Sequence, residues 1–283
     1  MARRWPIPQP DRTFHLVGDV QGIPYLSAKQ SRAEVVLADV ARLPDVEHRV
    51  QVGDFVSSHA DTAFPPTIEF MDKLGGGTWY ATVGNHDAPI AELEPELARS
   101  ADAAAVLMGM PGKNWVVDLG YAVLIGFYIR AWGRLAEEAP DFGWLADTLD
   151  EHEGRTCMVV AHPPIRGTIT HNAAEMLTAD DATLRSIIEY MPQLKVWLCG
   201  HTHSPLIKPV VQNVRVGSRL IAQVNGSALL NTAPATALDR WDPLRTLYVT
   251  VLDDRIEVRF RDHGAHAWIG GSVESRAVQV LPI

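Results

Sequence analysis

The sequence feature that most constrains the fold is a repeated pairing of a short apolar strand with a polar loop. Five times along the chain a run of β-forming residues ends, and Asp, Asn or His follows in a loop that contains Gly or Pro; these loops begin at Gly18, Gly53, Gly84, His162 and Gly200. In α/β folds, ligand-binding groups gather in the loops beyond the carboxyl ends of the strands. Glycine lets such loops turn sharply and approach a ligand closely. Five loops of this kind from one sheet could therefore converge on a single site.

The segments between these loops alternate between strand and helix patterns, which is typical of an α/β fold. Strands are predicted at Phe14–Val17, Arg49–Val52, Trp79–Val83, Cys157–Ala161 and Lys195–Leu198, in a hairpin of Trp115–Leu119 with Val123–Ile129, and near Arg219–Val224, Thr246–Leu252 and Arg255–Arg261. Helices are predicted over about Ser27–Ala41, Pro66–Leu74, Ala91–Leu107, Phe142–His152 and Asp180–Tyr190. No repeat or flexible linker is visible, so a single domain is expected over residues 1–283, with an N-terminal arm at 1–12 and a C-terminal β-hairpin and tail at 243–283.

The composition supports a globular protein with a small-molecule substrate. The chain has 283 residues, of which 47% are apolar and 21% charged, which leaves ample material for a core and excludes disordered and collagen-like classes. The formal net charge of −9 argues against a long nucleic acid as the main partner, because such proteins carry a broad basic surface. A small phosphate-bearing substrate in a local site remains compatible with this charge.

The cysteines and the apolar runs indicate a cytoplasmic location without a membrane partner. The two cysteines, Cys157 and Cys199, each lie in an apolar run, so we expect small buried side chains, no disulfide framework and a reducing compartment. No apolar stretch follows the first residues, so no secretory signal is predicted. The longest apolar run, Tyr121 to Ile129, is well short of the ~20 residues that span a bilayer.

Histidine is the residue type whose placement points to function. Of the eleven histidines, two lie in Gly200-His201-Thr202-His203 and one in Gly84-Asn85-His86-Asp87. Patterns of these two kinds would occur by chance about 0.03 and about 0.001 times in such a composition. Taken alone, Asp19 and Asp54 could equally be turn residues, and His162 could be a buried histidine bonded to backbone. Of the others, His15 is expected to pack in its strand, and four are expected at the surface: His48, His152, His263 and His266.

The residue types at the five strand ends suit a two-metal hydrolytic site. A carboxylate can bridge two cations held ~3.5–4 Å apart, while imidazoles and an amide oxygen fill the remaining positions of borderline metals. Such a pair lowers the pKa of a bridging water and clamps phosphoryl oxygens, and a neighbouring imidazole can act as general acid. The sequence contains no Gly-x-Ser-x-Gly motif and no cysteine motif suited to covalent catalysis, which agrees with this interpretation.

The sequence resembles the calcineurin-like metallophosphoesterase superfamily. The resemblance extends from Asp19 to the C-terminal hairpin and rests on the order of these motifs and on the strand that precedes each of them. The resemblance implies a four-layer αββα sandwich with two mixed sheets flanked by helices, and two divalent transition metals drawn from Mn, Fe, Zn and Ni. By position it implies Asp19 and His203 as ligands of the first metal, Asp54 as the bridge, and Asn85, His162 and His201 as ligands of the second. It also implies that His86 contacts the phosphate and protonates the leaving group, with Asp87 beside it as a second candidate catalytic residue.

Two positions depart from the family pattern. The usual first phrase is Asp-x-His, but here Gln21 stands in the place of the histidine, and an amide oxygen is a weaker ligand than imidazole for these metals. The first position could be completed by water, by Gln21 or by another side chain. In the second phrase Ser57 replaces an Asp that can support the catalytic histidine, and His59 or Asp61 could take over that support.

The sequence therefore predicts a metal-dependent hydrolase of phosphomonoesters or small phosphodiesters that uses a hydroxide bridging the two metals for in-line attack. The phrases look most like the bacterial cyclic-nucleotide and glycerophosphodiester phosphodiesterase branch. Asn85, His86 and His171 are the candidate substrate-binding residues. Two alternatives stay open: a dinucleoside polyphosphate hydrolase, since Gly-Asp-x-Gln-Gly also occurs in some bacterial diadenosine tetraphosphatases, and a non-catalytic scaffold of the same fold. A homo-oligomer is also left open.

Overall fold

Two β-sheets and their flanking helices form the computed structural model, which describes residues 9–21, 27–56, 61–88, 98–129, 139–166, 168, 181–203, 211–226, 229, 244–269 and 278–283. The strands in these ranges are β1 (Thr13–Val17), β2 (His48–Gln51), β3 (Thr78–Ala81), β4 (Trp115–Asp118), β5 (Val123–Gly126), β6 (Cys157–Val160), β7 (Leu194–Cys199), β8 (Val211–Val216), β9 (Arg219–Asn225), β10 (Arg245–Val251), β11 (Arg255–Asp262), β12 (Ala267–Ile269) and β13 (Val278–Pro282). The helices are α1 (Ser27–Val40), α2 (Phe64–Lys73), α3 (Ala101–Leu107), α4 (Phe142–Glu151) and α5 (Asp181–Tyr190).

Each sheet combines parallel and antiparallel pairs. The first has the order β12-β11-β10-β1-β2-β3, with β13 also paired to β11, and the second has the order β4-β5-β6-β7-β9-β8. In the first sheet β1, β2 and β3 are parallel, and Val17, Gln51 and Ala81 lie side by side at their carboxyl ends. In the second sheet β6 and β7 are parallel neighbours. The polar loops that follow parallel neighbours therefore emerge at the same edge of each sheet.

Three apolar layers hold the two sheets and the helices together. Phe14 and Leu16 of β1 face Leu124 and Val160 of the second sheet, and this layer lies between the sheets. On the outer side of the first sheet, side chains such as Val17 join those of α1, α2 and α3. On the outer side of the second sheet, the strands pack against α4 and α5. Alternate strand residues thus face different layers, which gives the four-layer αββα sandwich.

The sequence-based expectation that the five loops come from one sheet was wrong. The loops that begin at Gly18, Gly53 and Gly84 follow β1, β2 and β3 of the first sheet, whereas those at His162 and Gly200 follow β6 and β7 of the second. Two sheets that are each buried on both faces have the same continuous apolar strands, so periodicity alone does not distinguish them from one larger sheet.

Most predicted elements are confirmed, but in the described residues one helix begins later than predicted and three strands were not predicted. Helix α3 begins at Ala101, where the Ser100 hydroxyl accepts a hydrogen bond from the Ala103 N–H at 3.1 Å, so residues 98–100, which were predicted to be helical, precede the helix. Strands β8, β12 and β13 were not predicted. Cys157 and Cys199 are buried and unpaired, as expected. Among the described helices, none has the length and apolar character needed to cross a bilayer.

A buried polar cluster ties α1 to the C-terminal hairpin, and it corrects one histidine assignment. The Asp39 carboxylate, fully buried on α1, accepts two hydrogen bonds from the Arg261 guanidinium at 2.7 and 2.6 Å. It also bonds the Nδ1 atoms of His263 at 2.9 Å and of His266 at 2.8 Å. His263, expected at the surface, is fully buried, because Asp39 gives its ring a polar partner inside the protein. His266 is about half exposed, and His15 is buried, both as expected.

Candidate metal centre

The edges of the two sheets bring together every described residue of the predicted ligand set. Two groups of potential metal ligands form where the loops meet, one of Asp54, His162 and His201 and the other of Asp19, Asp54 and His203. Within each group the donor atoms lie within 4.8 Å of one another. Asp54 belongs to both groups, which is the arrangement that a carboxylate bridging two metal ions requires.

The second-metal group is centred on the Nε2 atom of His162. The Asn85 Oδ1 lies 3.1 Å from this nitrogen, and the Asp54 Oδ1 and the His201 Nδ1 each lie 3.2 Å from it. Ligand atoms on one metal with bonds of 2.0–2.2 Å are roughly 3.0–3.5 Å apart. The four donor atoms therefore have the spacing of a single coordination shell.

The hydrogen bonding of His162 shows that this group is suited to a cation. Its Nδ1 lies 2.8 Å from the Val52 carbonyl oxygen, which can only accept, so Nδ1 carries a proton. In a neutral ring Nε2 then has a lone pair, and it faces the oxygens of Asp54 and Asn85, which also carry lone pairs. One proton on Nε2 could satisfy only one of its three neighbours. A metal ion between the four atoms would satisfy all of them at once.

The pKa values of His162, His201 and Asp54 show how this group is charged when no metal is bound. Burial lowers the pKa of His162, but the Asp54 carboxylate outweighs burial and raises it to about 9. Burial and the charge of His162 lower the pKa of His201 to about 3. Burial alone would raise the pKa of Asp54, yet His162 and His86 hold it well below its usual range. Without metal, a proton on His162 therefore supplies the positive charge that this group requires.

The first-metal group surrounds the Nε2 atom of His203. The Asp19 Oδ2 lies 3.0 Å from this nitrogen, and the Gln21 side-chain amide lies 3.0 Å from it and 3.4 Å from the Asp54 Oδ2. The Asp19 carboxylate also accepts the His201 N–H at 3.1 and 2.9 Å, which couples the two loops. Gln21 thus lies where the family pattern has a histidine, but the atom that faces both neighbours is its amide nitrogen, which donates to Asp54. To bind a metal here the amide would have to turn and present its oxygen.

His86 lies at the opening of the centre without belonging to either ligand group. Its Nε2 is 3.9 Å from the Asp54 Oδ2, and 39% of its side chain is exposed. Its backbone N–H donates to the Asp54 Oδ1 at 2.9 Å, so the same residue helps to orient the shared carboxylate. The imidazole is therefore partly exposed, with its Nδ1 buried, beside a buried group of potential ligands.

Asp87 is buried and turned toward backbone groups. Its Oδ1 accepts the Val56 N–H at 2.9 Å and its Oδ2 accepts the Gly84 N–H at 2.8 Å. Burial and the charge of Asp54 raise the pKa of Asp87 to about 7. These contacts favour a role in holding the loops after β2 and β3 together over the direct catalytic role expected from the sequence, which stays a prediction.

The loops reach the centre through tight backbone turns. Four of the predicted ligands have positive φ although they are not glycine: Gln21 (48°), Asp54 (52°), His201 (67°) and His203 (46°). Such φ values are uncommon for side-chain-bearing residues and cluster at functional sites. At Gly84 a Cβ atom would lie 2.2 Å from the Asp54 backbone nitrogen and 2.3 Å from its Oδ1. Only glycine leaves room for the shared carboxylate here.

Three supporting groups were not found by sequence reasoning. The Val52 carbonyl orients His162, and the Gln51 side chain bonds both the N–H (2.9 Å) and the carbonyl (2.6 Å) of Gly53 in the loop that bears Asp54. Asn225, at the end of β9, donates to the Gly200 carbonyl at 3.0 Å and thereby braces the loop of His201 and His203. A polar residue at the very end of an apolar strand, as in Val224-Asn225-Gly226, was the one available signal.

Some predicted residues lie elsewhere or outside the described residues. His171, the third candidate substrate-binding residue, and Ser57 and His59 fall outside them. Asp61 has an exposed side chain and pairs with Arg99 at 2.8 Å, so it does not support His86 as hypothesised.

Comparisons with known proteins agree with this geometry. The family model described as calcineurin-like phosphoesterase matches residues 12–205. A dimetal phosphatase from Danio rerio has a similar structure, with a TM-score of 0.62 and 14% identity over 96% of this chain and 99% of that chain. A purple acid phosphatase from yellow lupin seeds gives a TM-score of 0.60 and 12% identity over 96% of this chain and 53% of that chain. At such identities the likeness shows the fold alone. A comparison with curated proteins gave no match.

Proposed function

Since the chain belongs to the calcineurin-like phosphoesterase family, we propose that it hydrolyses small phosphate esters, phosphomonoesters or compact phosphodiesters, at a two-metal centre. The observation that carries this proposal is the pair of ligand groups that share Asp54, with His86 exposed beside them. A purely structural metal site has no need of an accessible imidazole that is not a ligand.

The residues of the site divide into metal ligands and residues that contact the substrate. Asp19, Asp54 and His203 would hold one metal, joined by Gln21 if its amide turns to present the oxygen, and Asp54, Asn85, His162 and His201 would hold the other. When bound, two such metals lower the pKa of a water at the centre and offset the charge of phosphoryl oxygens. The family match supports divalent metals at such a centre, without fixing which metals they are.

His86 supplies the proton that leaves with the alcohol. Its imidazole contacts a phosphoryl oxygen, and it then donates a proton to the ester oxygen as the bond to phosphorus breaks. Its backbone N–H donates to the Asp54 Oδ1, which places the residue beside the shared carboxylate. The Asn85 side-chain oxygen lies 3.1 Å from the His162 Nε2. The amide nitrogen of Asn85 can therefore donate a hydrogen bond to the substrate.

The test is an assay of p-nitrophenyl phosphate and bis(p-nitrophenyl) phosphate with Mn²⁺, Zn²⁺ or Fe²⁺ added. We expect turnover of at least one ester, and the preferred ester assigns the protein as a monoesterase or a diesterase. Asp54→Asn should abolish turnover, because it removes the shared carboxylate. The matched control Asp61→Asn changes an exposed carboxylate in the following loop and should leave turnover unchanged.

Metal analysis of the purified chain separates this proposal from a non-catalytic scaffold. We expect between one and two equivalents of transition metal per chain and lower occupancy in Asp54→Asn. Less than one equivalent together with no turnover of either ester would overturn the proposal and favour the scaffold. If diadenosine tetraphosphate is turned over much faster than both nitrophenyl esters, the proposed activity would be wrong and the protein would be a dinucleoside polyphosphate hydrolase.

A further inference from the structure

A cavity lies beside the first sheet, at the end of β2 and β3 opposite the candidate metal centre. It has a volume of about 200 Å³, and the buried side chains of His15, Arg49 and Tyr248 line it together with Val40, Leu43 and Leu74. Gly75 and Gly76, which precede β3, also border it. The metal centre follows the carboxyl ends of β1, β2 and β3, so the two sites lie at opposite edges of the same parallel strands.

The cavity contains a buried cation whose charge is incompletely balanced. The Arg49 side chain is 1% exposed, and its guanidinium donates to the backbone carbonyls of Gly76 and Gly77. The nearest carboxylate is that of Asp45, at 3.3 Å from Nη2, and 67% of that side chain is exposed. The Arg49 Nε is buried and has no hydrogen-bond partner. Charge-assisted hydrogen bonds are normally 2.7–2.9 Å long, so Asp45 is a weak counter-ion.

Two other arginines of the first sheet, Arg259 and Arg261, are buried as well, and each has a carboxylate closer than Asp45 is to Arg49. Arg259 donates to Glu257 at 2.8 Å, although its Nε and Nη1 have no hydrogen-bond partner. Arg261 makes two bonds to the Asp39 carboxylate at 2.7 and 2.6 Å and lies over the Trp268 ring, 5.4 Å from its centroid. Arg49 has neither a short bidentate carboxylate nor a cation–π partner among the contacts described. Burying a cation without such a partner is costly, and an anion in the adjoining cavity would remove that cost.

We infer that this cavity binds a small carboxylate, whose carboxyl group pairs with Arg49 and whose compact apolar part contacts Val40, Leu43 and Leu74. A monoanion fits better than a phosphate dianion, because Arg49 is the single cation lining the cavity in the part of the chain that the structure describes. Burial keeps the pKa of His15 well below its usual range, so the imidazole adds no second charge. At ~30 Å³ per water the volume holds roughly seven water-sized groups, which suits a branched-chain or aromatic acid.

Asp45 marks the position at which the ligand carboxylate would compete. Its Oδ1 lies 3.3 Å from the Arg49 Nη2 and also accepts the Val46 N–H at 3.1 Å, while most of the side chain is in solvent. A ligand carboxylate can therefore replace the exposed contact with Arg49 at little cost while the bond to Val46 remains. Removing its charge should therefore strengthen binding, whereas removing the charge of Arg49 should abolish it.

The experiment is a titration of the metal-loaded full chain with benzoate and with its neutral isostere benzamide, followed by calorimetry or by ligand-observed NMR. We expect saturable benzoate binding and benzamide binding about tenfold weaker, since a hydrogen bond to a charged group is lost. Asp45→Asn should tighten benzoate binding about threefold, and Arg49→Gln should abolish it. The control Glu69→Gln also removes one exposed negative charge, outside the cavity, and should leave the affinity unchanged.

Four outcomes would overturn the inference: no saturable benzoate binding, equal affinity for benzamide, an affinity indifferent to Asp45→Asn, or inorganic phosphate binding the cavity as tightly as benzoate. Benzoate bound at the metal centre instead would be indifferent to both substitutions. If Arg49→Gln does not fold, the comparison of Asp45→Asn with Glu69→Gln decides, because both change exposed side chains.

Discussion

At the scale of single residues, Gln21 is where the centre departs from the usual ligand set. Its amide nitrogen lies 3.0 Å from the His203 Nε2, so an imidazole at this position could reach a metal held by His203. We expect Gln21→His to tighten the weaker of the two metal-binding events on the order of tenfold, because imidazole is the better ligand for borderline metals. Calorimetric titration of metal-free protein with Mn²⁺ or Zn²⁺ measures this change.

The control for this substitution is Gln9→His, which adds an imidazole at an exposed position near the start of β1. It should leave both binding events unchanged. Equal metal affinity in Gln21→His and the wild type would mean that Gln21 is not directed at a metal.

His86 gives the second prediction at this scale. If its imidazole protonates the leaving oxygen, His86→Asn should lower kcat by about 10²–10⁴-fold for an ester with a poor leaving group such as phenyl phosphate. The loss should be much smaller for p-nitrophenyl phosphate, whose leaving group needs no proton. Metal content should not change, because His86 belongs to neither ligand group. An equal loss with both esters would limit His86 to binding the phosphate.

The residues of the centre could be predicted because they lie within short contiguous phrases, and the residues that orient them could not. His201 and His203 lie two residues apart in one loop, whereas Asn225 bonds the Gly200 carbonyl of that loop from 25 residues further along. The Val52 carbonyl is a backbone group and has no sequence signal at all. His263 was misplaced for the same reason, since its partner Asp39 is 224 residues away in sequence.

At the scale of elements, the contact between the loops after β2 and β3 depends on Gly84. A Cβ atom there would lie 2.2 Å from a backbone nitrogen of Asp54, which a side-chain movement cannot relieve. We expect Gly84→Ala to displace Asp54 and to lose most bound metal while the far-UV circular dichroism stays native. Gly112→Ala is the control, because its Cβ would meet nothing closer than 3.5 Å. Metal content equal in the two variants would contradict the role given to this contact.

The cluster around Asp39 gives a prediction about how α1 is held to the hairpin of β10 and β11. Asp39→Asn would leave the Arg261 guanidinium buried without its counter-ion, so the free energy of unfolding should fall by about 3–5 kcal/mol at pH 7. Urea unfolding of metal-free protein measures it. The control Asp253→Asn breaks an exposed pair with Arg12 and should cost less than about 1 kcal/mol.

The pH dependence of the same pair follows from the pKa of Asp39. Burial would raise this pKa, but the hydrogen bonds from Arg261, His263 and His266 hold it well below its usual range. A depressed carboxyl pKa stabilises the folded state above the unfolded value of about 4, and the contribution is lost as pH falls below it. The stability difference between wild type and Asp39→Asn should therefore persist at pH 5 and shrink below about pH 4. A difference that is the same at pH 3 and pH 7 would contradict this account.

The elements themselves were predictable where a strand or helix has a strong local pattern. The hairpin of β4 and β5 could be predicted because Gly120 marks its turn. In the structure the Gly120 N–H donates a hydrogen bond to the Asp118 Oδ1 at 2.7 Å. Strand β8, which reads Val-Gln-Asn-Val-Arg-Val, was missed because its polar residues interrupt the apolar run. It is held as a strand by antiparallel pairing with β9, which is a tertiary effect that local propensity does not reveal.

At the scale of the whole molecule, the candidate metal centre joins polar groups from the two sheets. Asp19, Asp54 and Asn85 follow strands of the first sheet, while His162, His201 and His203 follow strands of the second. Without metal, these groups face one another with more lone pairs than protons. Metal binding should therefore act on the stability of the entire sandwich.

We expect the melting temperature to rise with the logarithm of the free metal concentration. Metal at 100 times its dissociation constant adds about 2.7 kcal/mol per site to the free energy of unfolding, because unfolded chain lacks the assembled ligands. At about 2 °C per kcal/mol this is a rise of roughly 5 °C per site. Calorimetric scans over a series of buffered Zn²⁺ or Mn²⁺ concentrations measure it.

His203→Ala should remove the contribution of the first-metal group, whereas His266→Ala, outside both groups, should retain the full rise. A melting temperature independent of metal would mean that the loops of the two sheets do not jointly bind it.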